Sequence, residues 1–206
     1  MIKILFLLFL STALFAQDKS IEEIKSKLRP VNLSFTGLDE DVKTYLDSIP
    51  EDRKKIETTR LGIVRNFKKM VQKVIGRTPY EGKIFLKDKV IMGKIMEAKE
   101  DELTIVDSKN ATSKVKWEDL NLRQYSDIFI AEAVRKGKDL KADKKPKGAD
   151  EAFKKAGNYY YALAVFYDWY GNAAASKIFR KKAIVLNPDK KKDIDELWPP
   201  EETLKN

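Results

Sequence analysis

Apolar residues recur along this chain in two different periods, and the change from one to the other at Thr78-Pro79 divides it. Before that point the period is helical. Ile21, Ile24 and Leu28 share one face behind a capping box formed by Ser20 and Glu23, and Pro30 ends the run. Val42, Tyr45, Leu46 and Ile49 follow at i, i+3, i+4 and i+7. Pro50 then opens a long helix expected from Glu51 to Ile75, where a proline is tolerated at the first turn. Its apolar stripe reads as Ile56, Ile63, Phe67, Met70, Val71 and Val74, with Arg65, Lys68, Lys69, Gln72 and Lys73 on the opposite, solvated face.

After Pro79 the period falls to two. Gly82 to Leu86, Val90 to Ala98, Leu103 to Val106 and Ser113 to Trp117 are four strand-like runs separated by short polar turns. Neighbouring strands joined by tight turns predict an antiparallel meander, and residues 79–122 suffice for a small SH3-like or Sm-like barrel. Trp117, closing the last strand, is expected to be buried, and this β-stretch to form a docking core between the long helix and the C-terminal helices. The helical period returns over 123–137 with Tyr125, Ile128, Phe129, Ala133 and Val134, and Gly137 closes it. Residues 138–148 read as a basic linker, 149–198 as a helical hairpin turning at Gly171-Asn172, and 199–206 as a disordered tail.

Within the hairpin, counting Gly157 as the first position of a 34-residue unit places Tyr160, Leu163, Ala164, Tyr167, Ala183 and Pro188 in the register of a tetratricopeptide (TPR) repeat, which this segment resembles. Arg180 departs from the pattern, which has a large aromatic there; Phe179 lies one position early. The resemblance covers one repeat and implies an interaction-type fold without a full peptide groove. The small barrel, followed by Val115-Lys116-Trp117-Glu118-Asp119-Leu120 and a helix, is similar to uncharacterised accessory modules of exported bacterial proteins, a resemblance that brings no catalytic residues. The expected class is therefore α+β: a small antiparallel β-barrel or meander at about 80–117, flanked by N-terminal helices and a TPR-like hairpin.

The first sixteen residues change where such a protein is expected to act. A basic start at Lys3, an apolar run from Ile4 to Leu10 and small Ala16 before polar Gln17 read as a signal peptide over residues 1–16. Its removal predicts an exported protein, periplasmic or secreted, with no transmembrane anchor left. With no Cys in 206 residues, disulfides and lipid attachment at cysteine are excluded, so stability has to come from packing.

Having neither His nor Cys also removes imidazole triads, thiol nucleophiles and the usual zinc sites. Asp39, Glu40 and Asp41 suit a helix start, and Glu100, Asp101 and Glu102 a turn. Hence no catalytic, cofactor or metal residue is assigned, and the chain is read as non-enzymatic. Two features remain as candidate ligand or partner surface. Tyr161 and Trp169 belong to an aromatic run from Tyr159 to Tyr170 and are candidates for a stacking surface, whereas Tyr160 and Tyr167 belong inside the hairpin. Lys141, Lys144, Lys145 and Lys147 belong to a basic stretch from Arg135 to Lys147 in a chain with net charge +9. That stretch holds one Arg and no aromatic, which argues against specific nucleic-acid reading. The reading is a scaffold or interaction module for an unknown envelope protein; the alternative is a binder of anionic surface polymers.

Overall fold

The computed structural model describes residues 22–142 and 146–199, and the side chains of residues 136–149 are not described. The signal-peptide expectation lies outside the described residues, as does the tail expectation beyond residue 199. Among the described residues there are seven helices and one open, four-stranded antiparallel sheet, an α+β arrangement. In chain order they are α1 (22–27), α2 (Asp39–Ser48), α3 (Glu51–Arg77), β1 (Tyr80–Phe85), β2 (Val90–Ala98), β3 (Glu102–Asp107), β4 (Thr112–Lys116), a 3-10 turn (Trp117–Asp119), α4 (Leu122–Ala142), α5 (Pro146–Trp169), α6 (Ala173–Leu186) and α7 (Lys190–Leu197).

The strands pair strictly with their sequence neighbours, as short turns between them require. Ile84, Ile95, Leu103 and Ile105 point to one face and are fully buried. Gly93 sits on β2 directly against the β3 backbone. A Cβ built there would lie 2.3 Å from the Val106 carbonyl oxygen, so only glycine fits the ladder. A register shift between Ile95 and Glu97 bulges β2 and brings Met96 to the surface. After the 3-10 turn the chain returns to the end of β1, where Leu86 bridges Leu120 and the Asn121 amide donates to the Phe85 carbonyl at 2.9 Å.

α3 is the axis of the molecule. Phe67, Val71, Val74 and Ile75 pack into one cluster with the sheet, α4 and α5, while Leu61 and Val64 pack into a second with Leu28, Tyr45, Val165 and Trp169. The buried line of this helix is therefore Glu57, Leu61, Val64, Phe67, Lys68, Val71, Val74 and Ile75. It is rotated from the expected stripe: Ile56, Ile63 and Met70 are only half-buried flanks. The reason is that α3 is covered from two sides, by the sheet and by α5, so its buried arc is wider than one stripe. Phe67 stacks directly on Phe166 of α5, with ring centroids 4.0 Å apart. The sheet accordingly packs on one side of an α3–α5 pair and does not separate the two. Trp117 is buried as expected; its indole N–H donates to the Lys99 carbonyl at 2.9 Å, and Tyr125 stacks on it.

The segment read as a linker over 138–148 is helical up to Ala142 and again from Pro146. Lys, Leu and Ala are good helix formers, and proline fits the first helical position. α5 and α6 form a hairpin around Gly171-Asn172, closed at its open end by Gly157, whose absent Cβ would collide with Asn187. Phe179 lies against both Tyr160 and Tyr167, at centroid distances of 6.0 and 5.3 Å.

Candidate functional site

Of the two aromatic candidates, Trp169 turns out not to face solvent. It is 1% exposed, its indole N–H donates to the Leu28 carbonyl at 2.7 Å, and Tyr45 meets it edge-on at 5.7 Å. The segment after α1 and the face of α2 cover it completely, because the chain before α2 folds back over the end of α5. Trp169 and Tyr161 are also eight residues apart on α5, roughly 12 Å along its axis, and do not form one surface.

Tyr161 is half-buried in a groove of about 480 Å³ between α3 and α7. Ile56 and Leu197 floor that groove, and Asp52, Asp193 and Glu196 with Lys55 form its rim. Lys190 lies 5.0 Å from the Tyr161 ring and pairs with Asp193 at 2.5 Å. Burial, reinforced by Asp193 and Glu196, pushes the Tyr161 phenol up to about 12. Its surroundings thus carry both acidic and basic groups. Among the basic candidates, Lys144 and Lys145 lie outside the described residues, and the side chains of Lys141 and Lys147 are likewise not described.

A second groove, of about 560 Å³, was not visible in the sequence. One wall is α3, which contributes Arg65, Asn66, Lys68 and Lys69; the other is the loop around Ser34, Thr36 and Gly37. Lys68 is the unexpected residue. Its side chain is 6% exposed, its ammonium donates to Glu100 at 3.1 Å, and it lies 5.3 Å from the Trp117 ring. Arg65 pairs with Asp39 at 2.8 Å, and Lys69 makes no ion pair among the described residues. A sequence signal for Lys68 did exist: it stands at i+4 from Val64 and i−3 from Val71, on the buried line.

The outer face of the sheet is the third feature. Val90, Met92 and Met96 on β2 are 56%, 52% and 44% exposed, next to the cross-strand ion pairs Lys94–Glu81 and Lys114–Glu102. The β1 edge is closed by side chains and loop: Gln124 accepts from the Phe85 amide at 2.7 Å and the Tyr80 hydroxyl donates to the Lys83 carbonyl at 2.9 Å. The β4 edge instead carries Lys114 and Lys116, a charged guard against strand addition.

On α6, Ile178 and Val185 are exposed beside Lys177, Lys181 and Lys182, none of which forms an ion pair among the described residues. Among those residues, too, no cluster of three or more carboxylates is placed to hold a metal ion, and no helix is long and apolar enough to cross a membrane. Comparison of the chain with protein-family models, with curated proteins and with solved structures finds no match.

Proposed function

We propose that this chain is a non-enzymatic, exported interaction module whose docking face for a protein partner is the outer surface of β2. The exposure of Val90, Met92 and Met96 carries this reading, because the aromatic run that offered a ligand surface is mostly taken up by the core. Apolar contacts there, framed by Lys94–Glu81 and Lys114–Glu102, suit a partner strand or helix with a central apolar row and a charged rim. Two further likenesses support an interaction-type fold. Phe179 contacts Tyr160 and Tyr167 from the position beside the one a TPR repeat uses, and the return of the chain from the 3-10 turn to Leu86 resembles the closing strand of an SH3-like barrel.

A photo-crosslinking residue at position 92, introduced in the producing cell, is expected to yield one discrete protein adduct in the extracytoplasmic fraction, and the same residue at Lys109 none. Equal labelling from both positions, or none from 92, overturns the assignment. Export is tested separately by sequencing the mature N-terminus, which is expected to begin at Gln17.

The second reading, an anionic-polymer binder, is favoured by Lys177, Lys181 and Lys182 on α6, which form no ion pair among the described residues. Retention on a polyanion matrix should then fall steeply with salt and drop further in Lys181→Glu with Lys182→Glu. Unchanged retention of that double variant removes this reading.

A further inference from the structure

We infer that the groove between α3 and the Ser34–Gly37 loop is a binding site for an oxyanion, carboxylate or phosphate, carried on a small hydroxylated molecule. This lies apart from the sheet face proposed for a protein partner and from the α6 lysines. Lys68 is the starting point. An ammonium has three N–H donors, and one of them is taken by Glu100 while the face of the Trp117 indole attracts the charge from another side. A cation buried to this degree interacts more strongly with an acceptor than one in bulk water, and Lys68 lines the groove.

The space beside it is polar, roomy and cationic. Arg65, Lys68 and Lys69 face Asp39 and Glu100 across it, leaving one positive charge in surplus. A groove of about 560 Å³ is within the range that encloses a small ligand. The remaining lining suits hydroxyl groups rather than a hydrocarbon. Asn66 donates one amide N–H to the Gly62 carbonyl at 2.8 Å, which fixes the side chain beside the groove with its oxygen as an acceptor. The Ser34 and Thr36 hydroxyls lie 3.1 Å apart on the facing loop and offer a paired donor and acceptor. That loop is held in place by Leu33, which is 2% exposed and keeps a left-handed backbone with φ 57°. A bound oxyanion would accept from Lys68 and Lys69, with the guanidinium of Arg65 at its edge.

Calorimetric titration of the full chain with glucose 6-phosphate, glucuronate and glucose tests the site. One or both anionic sugars are expected to bind at least tenfold tighter than glucose, and which of them does so identifies phosphate or carboxylate as the recognised group. Lys69→Glu should weaken that binding at least tenfold without lowering the melting temperature, and Lys68→Met should do the same. The charge-matched Lys109→Glu, in the β3–β4 turn, should leave it unchanged. Equal affinity for all three sugars overturns the inference. So does binding that is insensitive to Lys69→Glu, or that Lys109→Glu weakens as much.

Discussion

The indole N–H of Trp169 donates to the main-chain carbonyl of Leu28 at 2.7 Å, across 141 residues of sequence. Two more bonds reinforce this junction: Arg29 donates to the Trp169 carbonyl at 2.6 Å, and the Tyr170 hydroxyl donates to the Pro30 carbonyl at 2.9 Å. The N-terminal segment is therefore fastened to the end of α5 by backbone acceptors that no apolar pattern encodes. Trp169→Phe keeps most of the ring volume but leaves the Leu28 carbonyl without its donor. A loss of about 1–3 kcal/mol is expected in urea denaturation, with faster amide exchange over 28–33. Stability equal to wild type would mean the junction does not hold that segment.

Trp117 anchors the sheet to α4 through its stack on Tyr125 and the Tyr125 hydroxyl bond to its carbonyl at 3.2 Å. Trp117→Ala should cost roughly 3–5 kcal/mol in chemical denaturation, because it empties a fully buried site. The near-ultraviolet dichroism of the remaining aromatics should weaken with it.

Gly93→Ala is the sharpest test of the β2–β3 approach. The added methyl would force the strands apart at Val106, and a destabilisation of about 1–3 kcal/mol is expected from thermal or urea unfolding. Gly76→Ala at the end of α3, where nothing lies within 4 Å of an added Cβ, should instead be neutral or slightly stabilising.

Lys68 and Glu100 should respond unequally to mutation. Glu100 is 62% exposed and tolerates the loss of its partner, whereas Lys68 is buried and does not. Glu100→Gln is expected to destabilise by about 1 kcal/mol or more, while Lys68→Met, of similar length and apolar, should be neutral or stabilising. Equal effects in the two unfolding curves would place the ammonium in solvent.

Alkaline stability follows from the tyrosines. Burial raises the phenols of Tyr45, Tyr125 and Tyr170 above their ordinary range and that of Tyr161 to about 12. In the unfolded chain these groups ionise near the ordinary value of 10.0, so there the folded state holds more protons than the unfolded one. Their contribution is thus fully present below pH 10; that of Tyr161 is lost as pH rises from 10 through about 12, and that of the other three keeps falling at higher pH. Unfolding free energy should fall across that window, and absorbance titration near 295 nm should show these phenols ionising only as the fold opens.

Much of the architecture was legible from periodicity. The four strands and their order, the helices that flank them and the hairpin turn at Gly171 all follow from where apolar residues recur and where Gly and Pro interrupt them. Helix ends were less legible: Lys-rich residues 138–142 looked like linker because charge density resembles solvated coil, yet the same residues have high helix propensity. The candidate site was legible least of all. Tyr161 was read as part of a stacking surface with Trp169, but the charged rim around it comes from α7 and α3, distant in sequence. Lys68 was assigned to solvent by its charge, although its spacing from Val64 and Val71 put it on the buried line.

By itself the sequence determined the local elements, because helix and strand periods are set by residues a few positions apart, and it determined the missing chemistries, because a chain without His or Cys cannot supply them. The tertiary structure decided which side chains share a space. Trp169 became core only because the chain before α2 crosses the end of α5. Lys68 became a buried cation beside a groove only because the 34–37 loop and the turn at Glu100 close over α3. Contacts of that kind depend on segments brought together by packing of the whole chain, and no local period records them.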